Sequence, residues 1–422
     1  MSHVRIFWEG TDMQGLLGFA VLLALAWALS EDRGAIRWRT VSVGIGLQWG
    51  LAALLIGFAP ARAAFLLLND AANALQHATD TGTAFLFGYL GGDNLPFAEI
   101  RPGASVVLAF KILPLVLVIS AISAVLFHWG VLQRLMALFA WLLRRTMGID
   151  GALALAAAVH IFVGMIEAPL LVRPYLTRMQ RGELFAMMTC GMAGVAGTVM
   201  VIYATVLAPV VPNALGTILI ASVISTPAAL AVAALMVPFG PGGGSASLTL
   251  RDPPASTMDA IVRGTADGVG PLVGITTTLL VAVALVTLMN AGLAAVPHAG
   301  DALTLQGIFA IPFRPVMWLI GIPWNETASA AGLMGTKTVL NEFVAYLQLA
   351  ALPADAMSQK SQVIMTYALC GFANFGSLGI LIGGLGAMVP DRRSEIVTLG
   401  MRSLLSGTIA TCLSGAVAGW LS

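Results

Sequence analysis

Five polar side chains stand inside otherwise apolar stretches, and they are the residues equipped to do chemistry. Two are glutamates, Glu167 in VGMIEAPLL and Glu342 in VLNEFVAYL. Asn374 and Ser377 lie in the middle of TYALCGFANFGSLGILIGG, residues 366–384, among Gly371, Gly376 and Gly379. His160 precedes Glu167 in the same apolar stretch. A carboxylate accepts hydrogen bonds, an amide and a hydroxyl both donate and accept, and an imidazole takes up a proton near neutral pH. There is no HExxH, no GxSxG and no closely spaced acid–base pair, so the set points to binding rather than to an intramembrane enzyme.

A continuous membrane helix gains nothing from this arrangement. Glycine weakens a helix, and an amide in hydrocarbon needs a partner. A helix broken where it lines a cavity accounts for both features. The pattern occurs twice: residues 190–198 read CGMAGVAGT and residues 370–378 read CGFANFGSL, each downstream of one of the two glutamates. Paired interrupted segments in two halves of a chain point to the binding site of a transporter.

The elements that must position these residues are membrane elements. The chain is 58% hydrophobic and 10% charged, with mean hydropathy +0.91, which excludes an ordinary soluble domain. A net charge of +1 gives no sign of a nucleic-acid partner. Cys190, Cys370 and Cys412 lie in apolar segments without metal-ligand spacing, so neither a disulfide nor a metal site is expected.

Taken in order, residues 13–30 form a first span. A signal peptide is the rival reading, but Glu9 and Asp12 precede the run while Arg33, Arg37 and Arg39 follow it. Residues 40–59 are the second span. The acidic stretch 60–103 is expected outside, with an amphipathic interfacial helix near 65–77. Residues 105–128 are the third span, and 131–147 a basic amphipathic helix on the cytoplasmic face. Residues 149–176, broken by His160, Gly164, Glu167 and Pro169 and flanked by arginines, read as a re-entrant hairpin. Spans follow at 183–209 and 214–238. A Gly-rich linker covers 240–256, and the next span covers 267–295. Residues 302–320 are expected to be interfacial and external. A second hairpin over 323–352 carries Glu342 near its tip. The broken helix covers 360–390, and the last span 404–420.

The expected fold class is an all-α polytopic membrane protein with about eight transmembrane helices, two re-entrant hairpins and interfacial helices, arranged as an inverted repeat. The expected division is a scaffold part over 1–128, a first transport repeat over 129–238, a linker and scaffold span over 239–295, and a second transport repeat over 296–422. Arginine placement puts both termini outside a bacterial-type inner (plasma) membrane.

The motifs GMIEAPLLVRPYL, GTKTVLNEFVAYL and CGFANFGSLGILIGGLG resemble those of the concentrative nucleoside transporter family, and the likeness runs through most of the chain. The resemblance implies a homotrimer in a lipid bilayer, without cofactor, that takes up nucleosides by ion-coupled symport through an elevator-like movement. It implies that Glu342, Asn374 and Ser377 bind the sugar, with Phe372 as an aromatic wall. On the nucleobase side the family pattern Gly-Gln-Thr-Glu-Ala-Pro is replaced by Gly164, Met165, Ile166, Glu167, Ala168 and Pro169. Glu167 is retained, and Val199 matches a base-contacting valine. Two polar base contacts have become apolar.

At the family's sodium site, His160 replaces an asparagine and Gly194 replaces a serine or threonine. The carbonyls of Val163 and Val195 are retained. Hard cations prefer oxygen ligands, whereas an imidazole takes a proton, so coupling to H+, coupling to Na+ and uncoupled movement all stay open. A non-transporting sensor on a transporter fold is the further alternative. Lys337 carries an unexplained charge, readable as a counter-charge for Glu342 or as a partner of Glu167.

Overall fold

The computed structural model describes residues 10–91, 95–98, 105–241, 254–296, 303–353 and 355–422. Most of the linker expected over 240–256, and parts of the external stretch 60–103, lie outside the described residues. Among the described residues every regular element is helical. The helices are α1 (Gly10–Ala28), α2 (Trp38–Gly57), α3 (Ala59–Phe87), α4 (Leu108–Lys111), α5 (Leu115–His128), α6 (Val131–Met147), α7 (Gly151–His160), α8 (Glu167–Leu171), α9 (Arg173–Leu176) and α10 (Arg181–Ala193). They continue with α11 (Gly197–Leu207), α12 (Ala214–Met236), α13 (Thr257–Ala294), α14 (Leu305–Leu319), α15 (Thr327–Val339), α16 (Glu342–Ala350), α17 (Gln359–Leu369), α18 (Phe375–Met388) and α19 (Arg393–Leu421).

Local chemistry sets many of these starts. The Asp150 carboxylate accepts from Ala152 N at 2.9 Å and begins α7. Gln180 and Glu183 form a reciprocal capping box at α10. Ser256, Thr304 and Ser358 cap α13, α14 and α17 through their hydroxyls. Gly130 and Gly148, at φ 74° and 64°, bound α6, where a Cβ would be strained.

Several expected spans differ in extent. The third is broken into α4 and α5 just before Leu115, where Pro114 supplies no N–H to the ladder. The segment 183–209 splits into α10 and α11 at residues 194–196, and 360–390 splits into α17 and α18 at residues 370–374. The last span extends back to Arg393, and the 267–295 span back to Thr257, where Arg263 pairs with Asp259 one turn away at 2.9 Å. The helix expected near 65–77 is part of the longer α3.

By length and composition, six segments among the described residues are apolar enough to cross a membrane: α2, Leu108–His128, Arg181–Leu207, α12, α13 and Pro390–Leu421. The shorter Met13–Ala28, α7 and α18 are also apolar. Burial divides them sharply. The apolar window of α12 is 94% buried and that of α13 only 6%, so α12 is the centre of the core while α13 is largely uncovered, packing along α5 and meeting the start of α14 through Asn290. Against α12 lie α2, α10 and α19, and α19 in turn packs on α17 and α1.

Candidate functional site

The site is built where helices begin inside the core. At α16 the first residue is Glu342, and the cap is Asn341, whose Oδ1 accepts from Val344 N at 2.9 Å. At α18 the cap is Asn374, whose Oδ1 accepts from Ser377 N at 2.7 Å. The other end of the same amide, Asn374 Nδ2, donates to Glu342 Oε2 at 2.9 Å. One asparagine therefore stops the broken helix from fraying and holds the glutamate. Glu342 also sits in the first turn of α16, where the helix dipole favours negative charge. Glu342 and Asn374 are 4% and 1% exposed, so these bonds form away from solvent.

The second oxygen of Glu342 is held from the other half of the chain. Tyr203 Oη, on α11, donates to Glu342 Oε1 at 2.6 Å. The Tyr203 ring packs against Phe343 and Tyr346, with centroids 5.8 and 5.2 Å away.

Behind the carboxylate, the carbonyls at the end of α17 are satisfied by side chains. Tyr346 Oη donates to Thr366 O at 2.9 Å. Lys337 Nζ, fully buried in the last turn of α15, donates to Ala368 O at 2.8 Å and to Thr411 Oγ1 at 3.4 Å. A cation at a helix C-terminus matches the dipole. Lys337 is therefore not the partner of Glu167; its hydrogen bonds go to the end of α17 and to α19.

The two breaks cross. Phe372 N donates to Gly194 O at 3.2 Å, and Gly371 lies so close to Met192 O that a Cβ there would stand 2.8 Å from it. The first break is joined to the turn after α7 by Gly197 N, which donates to Phe162 O at 3.1 Å.

The first half differs in chemistry. His160 ends α7 at 4% exposure, and its Nε2 has no hydrogen-bond partner among the described residues. Its ring edge and Met165 face Gly191, while the His160 carbonyl faces Gly194. Val195 and Val199 are buried, and Val163 is half-buried. Ile166 packs on Gly384 of α18, where a Cβ would collide with it. Glu167 is exposed, makes no side-chain hydrogen bond or ion pair among the described residues, and folds its carboxyl back over Gly164. Phe372 is partly buried against the core.

The structure thus brings Asn374 into direct contact with both Glu342 and the Ser377 amide, and gathers His160, Met165, Gly191 and Gly194 separately. Reasoning from the sequence missed Tyr203, Asn341 and Tyr346. A tyrosine hydroxyl in an apolar helix needs a partner, and an asparagine just before a hairpin glutamate is a cap signal; both signals were readable. No cluster of three or more His, Cys, Asp or Glu suited to a metal ion occurs among the described residues. The three cysteines are free and buried.

Three family profiles match the chain in succession: "Na+ dependent nucleoside transporter N-terminus" over residues 17–90, "Nucleoside recognition" over 109–210, and "Na+ dependent nucleoside transporter C-terminus" over 217–419. An uncharacterized transporter of Haemophilus influenzae is 36% identical, with 96% of this chain and 97% of that protein covered. Sodium/nucleoside cotransporter 1 of Rattus norvegicus is 34% identical over 96% of this chain, which spans 63% of that protein. The structure of CNTnw in an inward-facing substrate-bound state superposes with TM-score 0.88 at 36% identity, covering 97% of this chain and 98% of that one.

Proposed function

The chain belongs to the Na+-dependent nucleoside transporter family, a family of concentrative membrane transporters and not of enzymes, and we propose that it imports nucleosides with Glu342 as the sugar acceptor. The observation that carries this reading is the buried carboxylate with a donor on each oxygen, from Asn374 and Tyr203. A carboxylate offers about four lone-pair sites, so two remain for ligand hydroxyls. Ser377 lies in the first turn of α18; in this reading its hydroxyl is a further sugar contact and Phe372 the aromatic wall. A ligand lacking those hydroxyls leaves buried groups unpaired, at a cost of about 1–3 kcal/mol each.

Met165, Ile166, Glu167 and Val199 line the base side in this reading. Three of these four are apolar, which supports packing rather than polar readout of the base. Residues 149–176 and 323–352 serve as the re-entrant hairpins of an inverted repeat, within about eight spans. The scaffold consists of 1–128 and 239–295, and the moving elevator parts of 129–238 and 296–422. The uncovered face of α13 supports a homotrimer whose scaffold spans meet in the bilayer. The protein resides in a bacterial-type inner membrane with both termini outside.

Coupling runs through the first half. Sodium needs oxygen ligands; Gly194 offers no side chain and His160 offers nitrogen, which leaves the carbonyls of Val163 and Val195 and water. The buried, unpartnered His160 Nε2 supports the proton as coupling ion.

Uptake into sealed proteoliposomes under separate gradients tests this. Nucleoside accumulates when the outside is acidic and sodium is replaced by choline, and His160→Ala abolishes the accumulation. His160→Asn together with Gly194→Ser shifts the dependence toward sodium. Saturable sodium-stimulated uptake at constant pH by the unmodified protein overturns proton coupling, and absence of accumulation under either gradient favours a sensor.

A further inference from the structure

Tyr203 belongs to α11 in the first half of the chain, yet among the described residues its only side-chain hydrogen bond goes to a carboxylate in the second half. We propose that Tyr203 is the positioning residue for sugar recognition: it fixes the plane of the Glu342 carboxylate so that each oxygen keeps one acceptor site aimed at a ligand hydroxyl. This rests on the reading of Glu342 as sugar acceptor.

The argument is geometric. The last torsion of a glutamate is broad and roughly two-fold, so a single donor leaves the carboxylate free to rotate. Two donors on different oxygens remove that freedom. Asn374 Nδ2 takes Oε2 at 2.9 Å and Tyr203 Oη takes Oε1 at 2.6 Å.

Both donors are themselves immobilised. Asn374 is tied as the cap of α18 by Ser377 N. Tyr203 is 4% exposed, with its ring against Phe343 and Tyr346, and Tyr346 is tied in turn to Thr366 O. A ring held this way is not swung aside by a ligand, so an incoming hydroxyl shares Oε1 with Tyr203 and does not replace it.

The placement has a second consequence. The start of α11 is held to the turn after α7 by Gly197 N on Phe162 O. The half that carries His160 and the base-side residues therefore sets the aim of the carboxylate in the other half.

The test is equilibrium binding to the purified full chain, unmodified and Tyr203→Phe, with four probes: uridine, 2′-deoxyuridine, adenosine and 2′-deoxyadenosine. Phenylalanine keeps the ring contacts and removes only the hydroxyl. Expected is a preference of the unmodified protein for each ribonucleoside over its 2′-deoxy counterpart, and a fall of about tenfold in that preference in Tyr203→Phe. The fall comes from weaker ribonucleoside binding, with the ratio of uridine to adenosine unchanged. A purely structural lesion would weaken all four probes alike.

An unchanged preference, an equal loss for all four probes, or tighter ribonucleoside binding in Tyr203→Phe overturns the proposal; the last would mean that the hydroxyl competes with the sugar. Should Tyr203→Phe fail to fold, Phe343→Leu loosens the ring while keeping the hydroxyl; a smaller loss of preference supports the proposal, and no loss overturns it. Failure of the unmodified protein to bind any of the four overturns the nucleoside reading itself, and this inference with it.

Discussion

The two halves of the chain carry the same unit, a glutamate at a helix start followed by a Gly-broken helix, with opposite chemistry at the starts. In the second half α16 and α18 begin at Asn341 and Asn374, whose side chains accept from the first turn. In the first half α8 and α11 begin after Ile166 and Ala196, which carry no acceptor. Glu342 is buried with two donors, whereas Glu167 is exposed with none among the described residues. The difference teaches that one half is preorganised for hydrogen bonding, while the other offers shape and a single unpaired imidazole. A buried polar network is rigid and selective only when every member is satisfied, and only the second half approaches that condition.

The sharpest way to break the comparison is to exchange the two carboxylates for amides. Glu342→Gln keeps shape and removes charge from a dry site, so substrate affinity falls by about 1.5–3 kcal/mol, roughly 10–150-fold. Glu167→Gln acts at an exposed, solvent-screened group and costs about tenfold or less. Isothermal titration of both variants decides it, and a larger loss at Glu167 would reverse the roles of the halves.

A smaller effect is expected from restoring polarity to the first half. Met165 and Ile166 pack on Gly191 and Gly384; under the proposed function they would discriminate bases by fit alone, which is worth about 1–3 kcal/mol, at most roughly a hundredfold. Met165→Gln with Ile166→Thr should widen the purine–pyrimidine difference in competition assays. A preference far above a hundredfold in the unmodified protein would reveal polar base readout elsewhere.

The smallest effect lies outside both sites, where the halves are tied at one end of the bundle. Glu31 accepts from Arg181 at 3.0 and 3.1 Å and from Arg402 at 2.8 Å, and Arg181 also approaches Glu395 at 3.8 Å. The hydrogen bond from Arg181 holds the Glu31 carboxyl below its ordinary value, with Arg402 assisting and burial opposing. A lowered folded-state value means that this stability is present above the ordinary carboxylate range, about pH 4, and is lost as pH falls through the folded-state value. The thermal stability of the detergent-solubilised protein should therefore fall on acidification below about pH 4, and Glu31→Gln should flatten that slope. An unaltered slope would remove this tie between α10, α19 and the α1–α2 turn.

Much of this was legible in the chain alone. Apolar runs, glycine interruptions and the repeated Cys-Gly-x-Ala pattern marked an all-helical membrane protein with two broken helices, because hydrocarbon tolerates few polar groups and each one must answer to a partner. The same scarcity singled out Glu342, Asn374 and His160. Helix extents were less legible, since capped polar turns such as those opening α13 and α19 continue a helix beyond its apolar window. What only the tertiary structure decided was the pairing. Tyr203 meets Glu342 across 139 positions of chain, Lys337 turns to Ala368 O and not to Glu167, and Phe372 N finds Gly194 O where the breaks cross. Periodicity and hydropathy report which face of a helix is buried, but a hydrogen bond between two buried faces depends on how the helices pack, and that is settled only when the core closes around α12.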